Sequence, residues 1–291
     1  EWDAIVDKFI NSSKVKKNGA IISSLSDTLP KYLRDRCLKS GVVPLQGMYE
    51  SLFAISNSIK VATAWKNVFD IKIPKNISSY KRKIKTYSEY ESKLVLKKHG
   101  IPIPKSLITN KKNLLRDYKK IKFPLVAKIN SNKVFHKTEI NGVFTNINNE
   151  KELIQKTSKL KGSILLEQMI KNTVFEIIIG IKVDKEFGPT MILGAGGIFT
   201  ELFKDTTTLL LPINKKIILE AIKKLKFAKI LFGFRGKKGA DLDALVNIIL
   251  KVAKFAEKNS DKISEVDINP LIVCKKGKGV YAVDALIHHF K

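Results

Sequence analysis

Short apolar runs and amphipathic stretches follow one another along this chain, and their order predicts an α/β fold. The run at residues 18–24 (NGAIISS) predicts a strand, and the helical spacing at 28–41 predicts a helix. A short extended run at 42–47 and a second helix at 48–68 repeat the pattern. Strand–helix–strand–helix order is typical of a parallel sheet. Because these elements are too few for a whole sheet, we interpret residues 1–68 as the end of a domain that begins upstream.

A second domain is predicted after the polar, basic stretch at residues 69–85, which we interpret as a linker. The amphipathic pattern at 86–100 predicts a helix capped by Thr86 or Ser88. Antiparallel strands at 123–130 and 141–147 flank a polar loop. Further patterns predict helices at 110–121, 214–226 and 240–259, and strands at 162–170, 174–184, 188–197, 265–273 and 279–287.

The stretch EVDINPLIV places two acids and an amide at alternate positions of an apolar run. In a strand, Glu265, Asp267 and Asn269 would share one face. The turn signal KKGKG separates this strand from the last one, and an odd-sum register would put Asn269 directly across from Asp284. Two such oxygens suit a hard cation such as Mg²⁺. The alternative is an ordinary strand with one solvated face.

Four other features carry candidate chemistry, each with a plainer alternative. Lys128 ends the apolar strand FPLVAKIN and either neutralises phosphate oxygens or extends from the strand end into solvent. Residues 165–170 (LLEQMI) form either a hinge that reads an adenine edge or an edge strand. The glycines of 193–201 either turn backbone N–H groups toward an anion or form a tight turn between strands, and they match neither common phosphate-loop pattern. His136, in the polar loop, is either solvated or a nitrogen nucleophile for a phosphoryl group.

Composition narrows the class of protein. The 291 residues carry 54 Lys and Arg against 27 Asp and Glu, a net charge of +27, which invites a nucleic-acid interpretation. Only five of the basic residues are arginines, and the lysines are spread along the chain. Both facts argue against nucleic-acid binding, in which arginines commonly recognise bases and clamp backbone phosphates. No apolar run reaches the roughly 18 residues of a membrane span. The scattered Cys37 and Cys274 fit a reducing, cytoplasmic setting.

Eight stretches of this sequence, taken in order, resemble the ATP-grasp portion of the NDP-forming acyl-CoA synthetases, which are relatives of the succinyl-CoA synthetases. The resemblance covers about residues 80–291. Residues 1–68 resemble the end of the last flavodoxin-like domain of the same enzymes. The matching stretches are SEYESKLVLKKHGIPIP, FPLVAKI, FHKTEINGV, LLEQMI, EIIIGIKVDKEFGPTMILGAGGIFTELFKD, GFRGKKGADLDAL, EVDINPLIV and AVDALI.

The resemblance implies a two-lobed ATP-grasp domain at residues 86–291 that binds ATP or ADP with Mg²⁺. It implies that Lys128 contacts nucleotide phosphates and that the loop of His136 relays a phosphoryl group. For Arg235 we infer charge neutralisation. It also implies that Glu167 and the backbone of Met169 and Ile170 form the adenine hinge, and that Asn269 and Asp284 are the Mg²⁺ ligands.

The activity implied is acid + CoA + ATP = acyl-CoA + ADP + phosphate. CoA and a small carboxylic acid would bind through domains outside this chain, so we expect an incomplete enzyme that works as an oligomer or with a CoA-binding subunit or domain. Asn141 and Ala195 replace residues usual in the family, and neither touches a proposed reacting atom. The alternatives are a succinyl-CoA-type ligase, a regulatory module of a protein acetyltransferase, and a lysine-rich nucleic-acid binder.

Overall fold

The protein was analysed as a computed structural model that describes residues 2–16, 19–25, 27–66, 83–131, 142–197, 200, 205–233, 236 and 239–291. It divides into two compact units, Glu1–Ile71 and Lys72–Lys291. Among the described helices, none combines the length and apolar character needed to cross a membrane.

The first unit confirms the predicted strand–helix–strand–helix order and adds a helix before it. Its two strands pair in parallel, with Gly19 opposite Val42. The added helix was not predicted from the sequence, although its Val6 and Ile10 lie four residues apart on one helical face and are buried. That this unit ends a flavodoxin-like domain stays a prediction. The elements are α1 (Trp2–Lys16), β1 (Gly19–Ser23), α2 (Lys31–Lys39), β2 (Val42–Gln46) and α3 (Met48–Lys66).

The second unit contains two sheets with helices packed against them. The helices are α4 (Glu89–Lys98), α5 (Leu114–Asp117, continued by a 3₁₀ turn), α6 (Glu150–Thr157), α7 (Lys215–Lys224), α8 (Ala228–Phe232) and α9 (Leu242–Lys258). The strands are β3 (Ile84–Thr86), β4 (Ser106–Thr109), β5 (Leu125–Ile129), β6 (Val143–Ile147), β7 (Ile164–Gln168), β8 (Thr173–Asp184), β9 (Gly188–Ala195), β10 (Thr206–Leu210), β11 (Ile263–Cys274), β12 (Val280–Ala282) and β13 (Ala285–Phe290).

The smaller sheet has the strand order β4-β7-β5-β6, and all its neighbouring strands are antiparallel. The larger sheet has the order β10-β9-β8-β11-β13-β3, with β12 also paired to β11. Helix α9 presents an apolar stripe that includes Leu245, Ile249 and Val252 to the core of the larger sheet. Each sheet therefore has its own apolar core, and the unit has two lobes.

Several sequence-based boundaries need correction. The interpretation of residues 165–170 as an edge strand is wrong, because β7 lies between β4 and β5. The end of the predicted linker is strand β3, which pairs with β13. The predicted strand at 279–287 is divided into β12 and β13 around Val283 and Asp284. Elements α6, α8 and β10 were not predicted.

Helix α4 begins with a complete capping box. The Ser88 hydroxyl accepts a hydrogen bond from the Glu91 N–H, and the Glu91 carboxylate accepts one from the Ser88 N–H at 2.8 Å. One face of the helix then buries Glu89, Lys93 and Leu96. The cap fixes where this helix starts. Together with the helical period, it determines which residues of α4 point into the interior.

Candidate functional site

A cavity of about 640 Å³ lies between the two sheets of the second unit. Strands β5, β6 and β7 contribute one wall, and strands β8 and β11 contribute the other. His136 and Arg235 lie outside the described residues. The cavity brings together the other six predicted site residues: Lys128, Glu167, Met169, Ile170, Asn269 and Asp284.

Lys128 is almost completely buried, with 6% of its surface exposed, so it does not extend into solvent. Its ammonium donates to Glu89 Oε1 at 2.7 Å and to the Val283 carbonyl at 2.8 Å, and lies 3.1 Å from Glu167 Oε2. Burial by itself would lower the pKa of Lys128, but the carboxylates of Glu89, Glu167 and Asp284 outweigh burial and raise it. Lys128 is therefore a fixed positive charge at the cavity wall.

The sequence reasoning missed Glu89, which pairs with Lys128, and Lys93, which shares the carboxylates of Glu89 and Glu167 with Lys128. Lys93 is fully buried, and its ammonium donates to Glu89 Oε1 at 2.7 Å and to Glu167 Oε1 at 2.5 Å. Glu89 and Lys93 look like an ordinary i,i+4 surface pair of a helix. The sequence indicates their burial only by their spacing, which places both on the face of α4 that also carries the apolar Leu96.

At the predicted hinge, the side chain of Glu167 and the backbone of Met169 have different partners. The carboxylate of Glu167 is buried against the two lysines rather than directed along the hinge. The Met169 N–H already donates to the Pro124 carbonyl at 2.9 Å. A bound base would therefore have to be read by the carbonyl of Met169 and by the backbone of Ile170.

The predicted register of the closing hairpin is confirmed. Leu271 pairs with Ala282 and Ile268 with Ala285, which continues the odd-sum pattern through the predicted pair. The Asn269 N–H donates to the Asp284 carbonyl at 3.2 Å, and both residues line the same cavity. The two side chains are thus on one face, as the pairing hypothesis requires.

Residues 196 and 197 form a tight glycine turn beside Asn269. A Cβ on Gly196 would lie 2.5 Å from the backbone carbonyl carbon of Ile177, so a side chain has no room there. Gly197 has φ of +59°, and its N–H donates to Asn269 Oδ1 at 2.9 Å. The glycines therefore allow the turn to approach β8 and hold the amide of Asn269.

Carboxylates are crowded on this side of the cavity. Glu176, which the sequence reasoning also missed, lines the cavity, and burial raises the pKa of its carboxyl. Burial, followed by the charges of Asp284 and Glu265, raises the pKa of Asp267 to about 6. Asp267, Asp284 and Glu265 lie close enough to repel one another, so the region favours a positive charge.

Asn269 and Asp284 offer a donor set that fits Mg²⁺. An amide oxygen and a carboxylate are hard ligands, and Mg²⁺ commonly takes few protein ligands and fills the rest with water and phosphate. Asn269 Oδ1 keeps a second lone pair beyond the bond from Gly197. Within the described part of the chain, no group of three or more His, Cys, Asp or Glu side chains is arranged to hold a metal. A metal here would therefore depend on a ligand that brings its own oxygens.

Known proteins are similar to this chain over the residues that form the cavity. Residues 78–288 match the family described as ATP-grasp domain. The beta subunit of ADP-forming acetate–CoA ligase II from Pyrococcus furiosus is 35% identical over 212 residues, which cover 68% of this chain and 89% of the relative. The ADP-forming acetate–CoA ligase from Methanocaldococcus jannaschii is 30% identical over 304 aligned positions, which cover 95% of this chain and 43% of the relative.

A solved structure is also similar. Acetyl-coenzyme A synthetase 1 from Candidatus Korarchaeum cryptofilum gives a TM-score of 0.61 at 31% identity, covering 71% of this chain and 93% of that chain. It contains coenzyme A and Mg-AMPPCP, and its phosphohistidine segment points towards the nucleotide binding site.

The chain thus spans most of the Pyrococcus subunit and less than half of the Methanocaldococcus protein. The match to the ATP-grasp domain covers both sheets of the second unit, and the relatives are ADP-forming acyl-CoA ligases. The chain belongs to the ATP-grasp family, and its residues 78–288 correspond to the ATP-grasp portion of the ADP-forming acyl-CoA synthetases.

Proposed function

We propose that the second unit binds ATP or ADP as its Mg²⁺ complex and performs phosphoryl transfer for the reaction acid + CoA + ATP = acyl-CoA + ADP + phosphate. One observation carries this proposal. Lys128 from the smaller sheet and the Asn269–Asp284 pair from the larger sheet line a single cavity of about 640 Å³. A volume of this size is typical of small-molecule sites.

The two ends of a nucleotide have different surroundings in this cavity. Val126 and Ile272 contribute apolar walls, and the backbone at Met169 and Ile170 offers hydrogen-bonding groups beside them. Lys128 supplies the positive charge for the phosphates. We assign the base to the hinge side and the polyphosphate to the side of Lys128 and Asp284.

The charges support a metal-bound nucleotide. Glu89, Glu167, Glu176 and Asp284 provide four carboxylates at or behind the wall, against the ammonium groups of Lys93 and Lys128 in the described residues. A polyphosphate is itself anionic, so it needs further positive charge to enter such a site. Asn269 and Asp284 would hold Mg²⁺, as the oxygens of this pair permit. When bound, Mg²⁺ would neutralise phosphate oxygens and orient them.

We propose His136 as the phosphoryl acceptor. A ring nitrogen of neutral His136 attacks the γ-phosphorus, and the bond to the β–γ bridging oxygen breaks. ADP leaves with that electron pair, and phosphohistidine remains. Lys128 stabilises the charge on the transferred group, and we assign charge neutralisation also to Arg235. The phosphohistidine segment of the Korarchaeum protein supports this role.

The experiment follows the phosphoryl group. The purified chain is incubated with Mg²⁺ and γ-labelled ATP, and acid-labile, base-stable label on protein is measured together with ADP binding. Wild type should become labelled, and His136→Ala should bind ADP with unchanged affinity while losing the label. His99→Ala, which changes an exposed histidine at the end of α4, is the control and should label normally. Labelling of the His136→Ala protein would refute the acceptor role.

CoA and a small carboxylic acid are proposed as substrates of the complete enzyme. The Pyrococcus relative is a beta subunit, which supports a partner subunit or domain that carries CoA. We also propose that residues 1–68 are the end of a flavodoxin-like domain, supported by the parallel pairing of β1 and β2. A coupled assay of the complete enzyme with several short acids tests the proposed substrates, and absence of acyl-CoA formation with all of them would contradict them.

A further inference from the structure

The wall of the nucleotide cavity is supported by four buried charges, Glu89, Lys93, Lys128 and Glu167, here called the buried charge cluster. Glu89 Oε1 accepts from both lysines, at 2.7 Å each. The two oxygens of Glu167 are divided between them, with Oε1 2.5 Å from Lys93 and Oε2 3.1 Å from Lys128. The cluster is electrically balanced, which is the condition under which buried charges are tolerated.

The two lysines have different access to the cavity. Lys128 and Glu167 belong to the residues that line the cavity, whereas Lys93 and Glu89, which the structure also describes, lie behind them. Lys93 has no exposed surface, and Lys128 has 6%. A phosphate entering the cavity therefore meets the ammonium of Lys128 and not that of Lys93.

We propose that Lys93 is a positioning residue for nucleotide binding, a fixed counter-charge that neutralises Glu89 and Glu167 while Lys128 serves the phosphates. The inference rests on the proposed function. The ammonium of Lys128 already donates to Glu89 and to the Val283 carbonyl and forms an ion pair with Glu167 at 3.1 Å. A phosphate that binds Lys128 therefore competes with these carboxylates for its positive charge. Lys93 stays paired with both carboxylates when Lys128 binds phosphate.

Lys93 also reaches the segment between β12 and β13 that carries the proposed metal ligand. Its ammonium lies 3.2 Å from the Val283 carbonyl, which also accepts from Lys128 at 2.8 Å. Val283 directly precedes Asp284. Helix α4 is thereby tied to the backbone that positions Asp284 at the cavity.

The test uses the charge of the ligand as its readout. Lys93→Met keeps the length of the side chain and removes its charge, which leaves two buried carboxylates with one ammonium. Affinities are measured by calorimetry for adenosine, AMP, ADP and ATP, the last two with Mg²⁺. We expect weakening that grows with the number of phosphates, about tenfold or more for ATP and less than about twofold for adenosine. Lys97→Met, on the exposed face of the same helix, is the control and should leave all four affinities unchanged.

A second variant separates charge from packing. Lys93→Met combined with Glu89→Gln restores one carboxylate to one ammonium, so most of the lost ATP affinity should return. This double variant also carries the test if Lys93→Met alone does not fold, with near wild-type ATP affinity as the expected result. Equal weakening for all four ligands, or further loss in the double variant, would overturn the proposal. A wild-type chain that binds no nucleotide would instead refute the proposed function.

Discussion

Replacing Lys128 by Met is the most direct test of the proposed phosphate site. The substitution preserves an unbranched side chain of similar length in a position that is 6% exposed, and it removes the charge. It leaves Lys93 as the only ammonium of the buried charge cluster, facing both Glu89 and Glu167. Its effects on folding and on ligand binding have different origins and are separated by measurement.

The magnitude follows from the contacts of Lys128. Each charge-assisted hydrogen bond contributes about 1.5–3 kcal/mol, so loss of one such bond to a phosphate weakens binding by about 10- to 150-fold. Removing one partner of a buried ion pair costs about 3–5 kcal/mol of stability. We expect the lower end of that range, because Lys93 remains within hydrogen-bonding distance of both carboxylates.

The assay is calorimetric titration of Mg-ADP and Mg-ATP, with urea denaturation of the same samples to establish that the variant is folded. Lys182→Met is the matched control, since Lys182 is an exposed lysine on a strand of the other sheet. A folded Lys128→Met protein that binds Mg-ATP within about twofold of wild type would refute the phosphate role of Lys128.

Three further predictions concern stability. Leu166→Ala should lower the free energy of unfolding by about 2–5 kcal/mol in urea, because Leu166 is completely buried in the smaller sheet, whereas Leu115→Ala, at a 46% exposed position, should cost less than about 1 kcal/mol. Gly196→Ala should lower the urea midpoint of unfolding, because its Cβ would meet the Ile177 backbone at 2.5 Å. Gly180→Ala is the control and should be tolerated, since the nearest atom to its Cβ, Ile192 Cβ, is 3.7 Å away. Equal midpoints for the two variants would contradict the close approach of Gly196 to Ile177. Hydrogen bonds from Arg116, followed by Lys120 and Thr109, lower the pKa of Asp117 to about 2, so its stabilising effect is present above its ordinary pKa near 4 and is lost as the pH falls towards 2. Asp117→Asn should therefore reduce stability at pH 7 relative to wild type, and the difference measured by denaturation should shrink between about pH 4 and 2.

The closing hairpin was predictable from the sequence because two independent signals agree there. Period-two alternation in EVDINPLIV assigns Asn269 to one face, and the KKGKG turn sets the register that brings Asp284 opposite. Strand β3 was not predictable in this way. It has only three residues, Ile84–Thr86, and exists because β13 provides its hydrogen-bonding partner. Short edge strands of this kind depend on tertiary pairing, which local patterns do not contain.

The buried charge cluster was partly visible in the sequence. Lys128 and Glu167 attract notice because each interrupts an apolar strand, but Glu89 and Lys93 occur in a lysine-rich helix where such pairs are ordinary. Only the spacing of Glu89, Lys93 and Leu96 on one face indicates burial, and it does not identify the partners. Pairing across 74 positions, between Lys93 and Glu167, is set by tertiary packing, because α4 packs against β13 and only the Lys93 side chain reaches Glu167 on β7.

The side chain and the backbone at Glu167 have different roles in the proposed nucleotide site. The family pattern assigns this residue to the adenine hinge, and its strand does lead directly to Met169 and Ile170 at the cavity. Its carboxylate, however, is committed to two lysines, and a charged group that is 2% exposed does not abandon such partners without replacement. The backbone after Glu167 is therefore the part that can read a base, while the side chain sets the charge available at the phosphate end. One strand thus couples the two ends of the proposed nucleotide site.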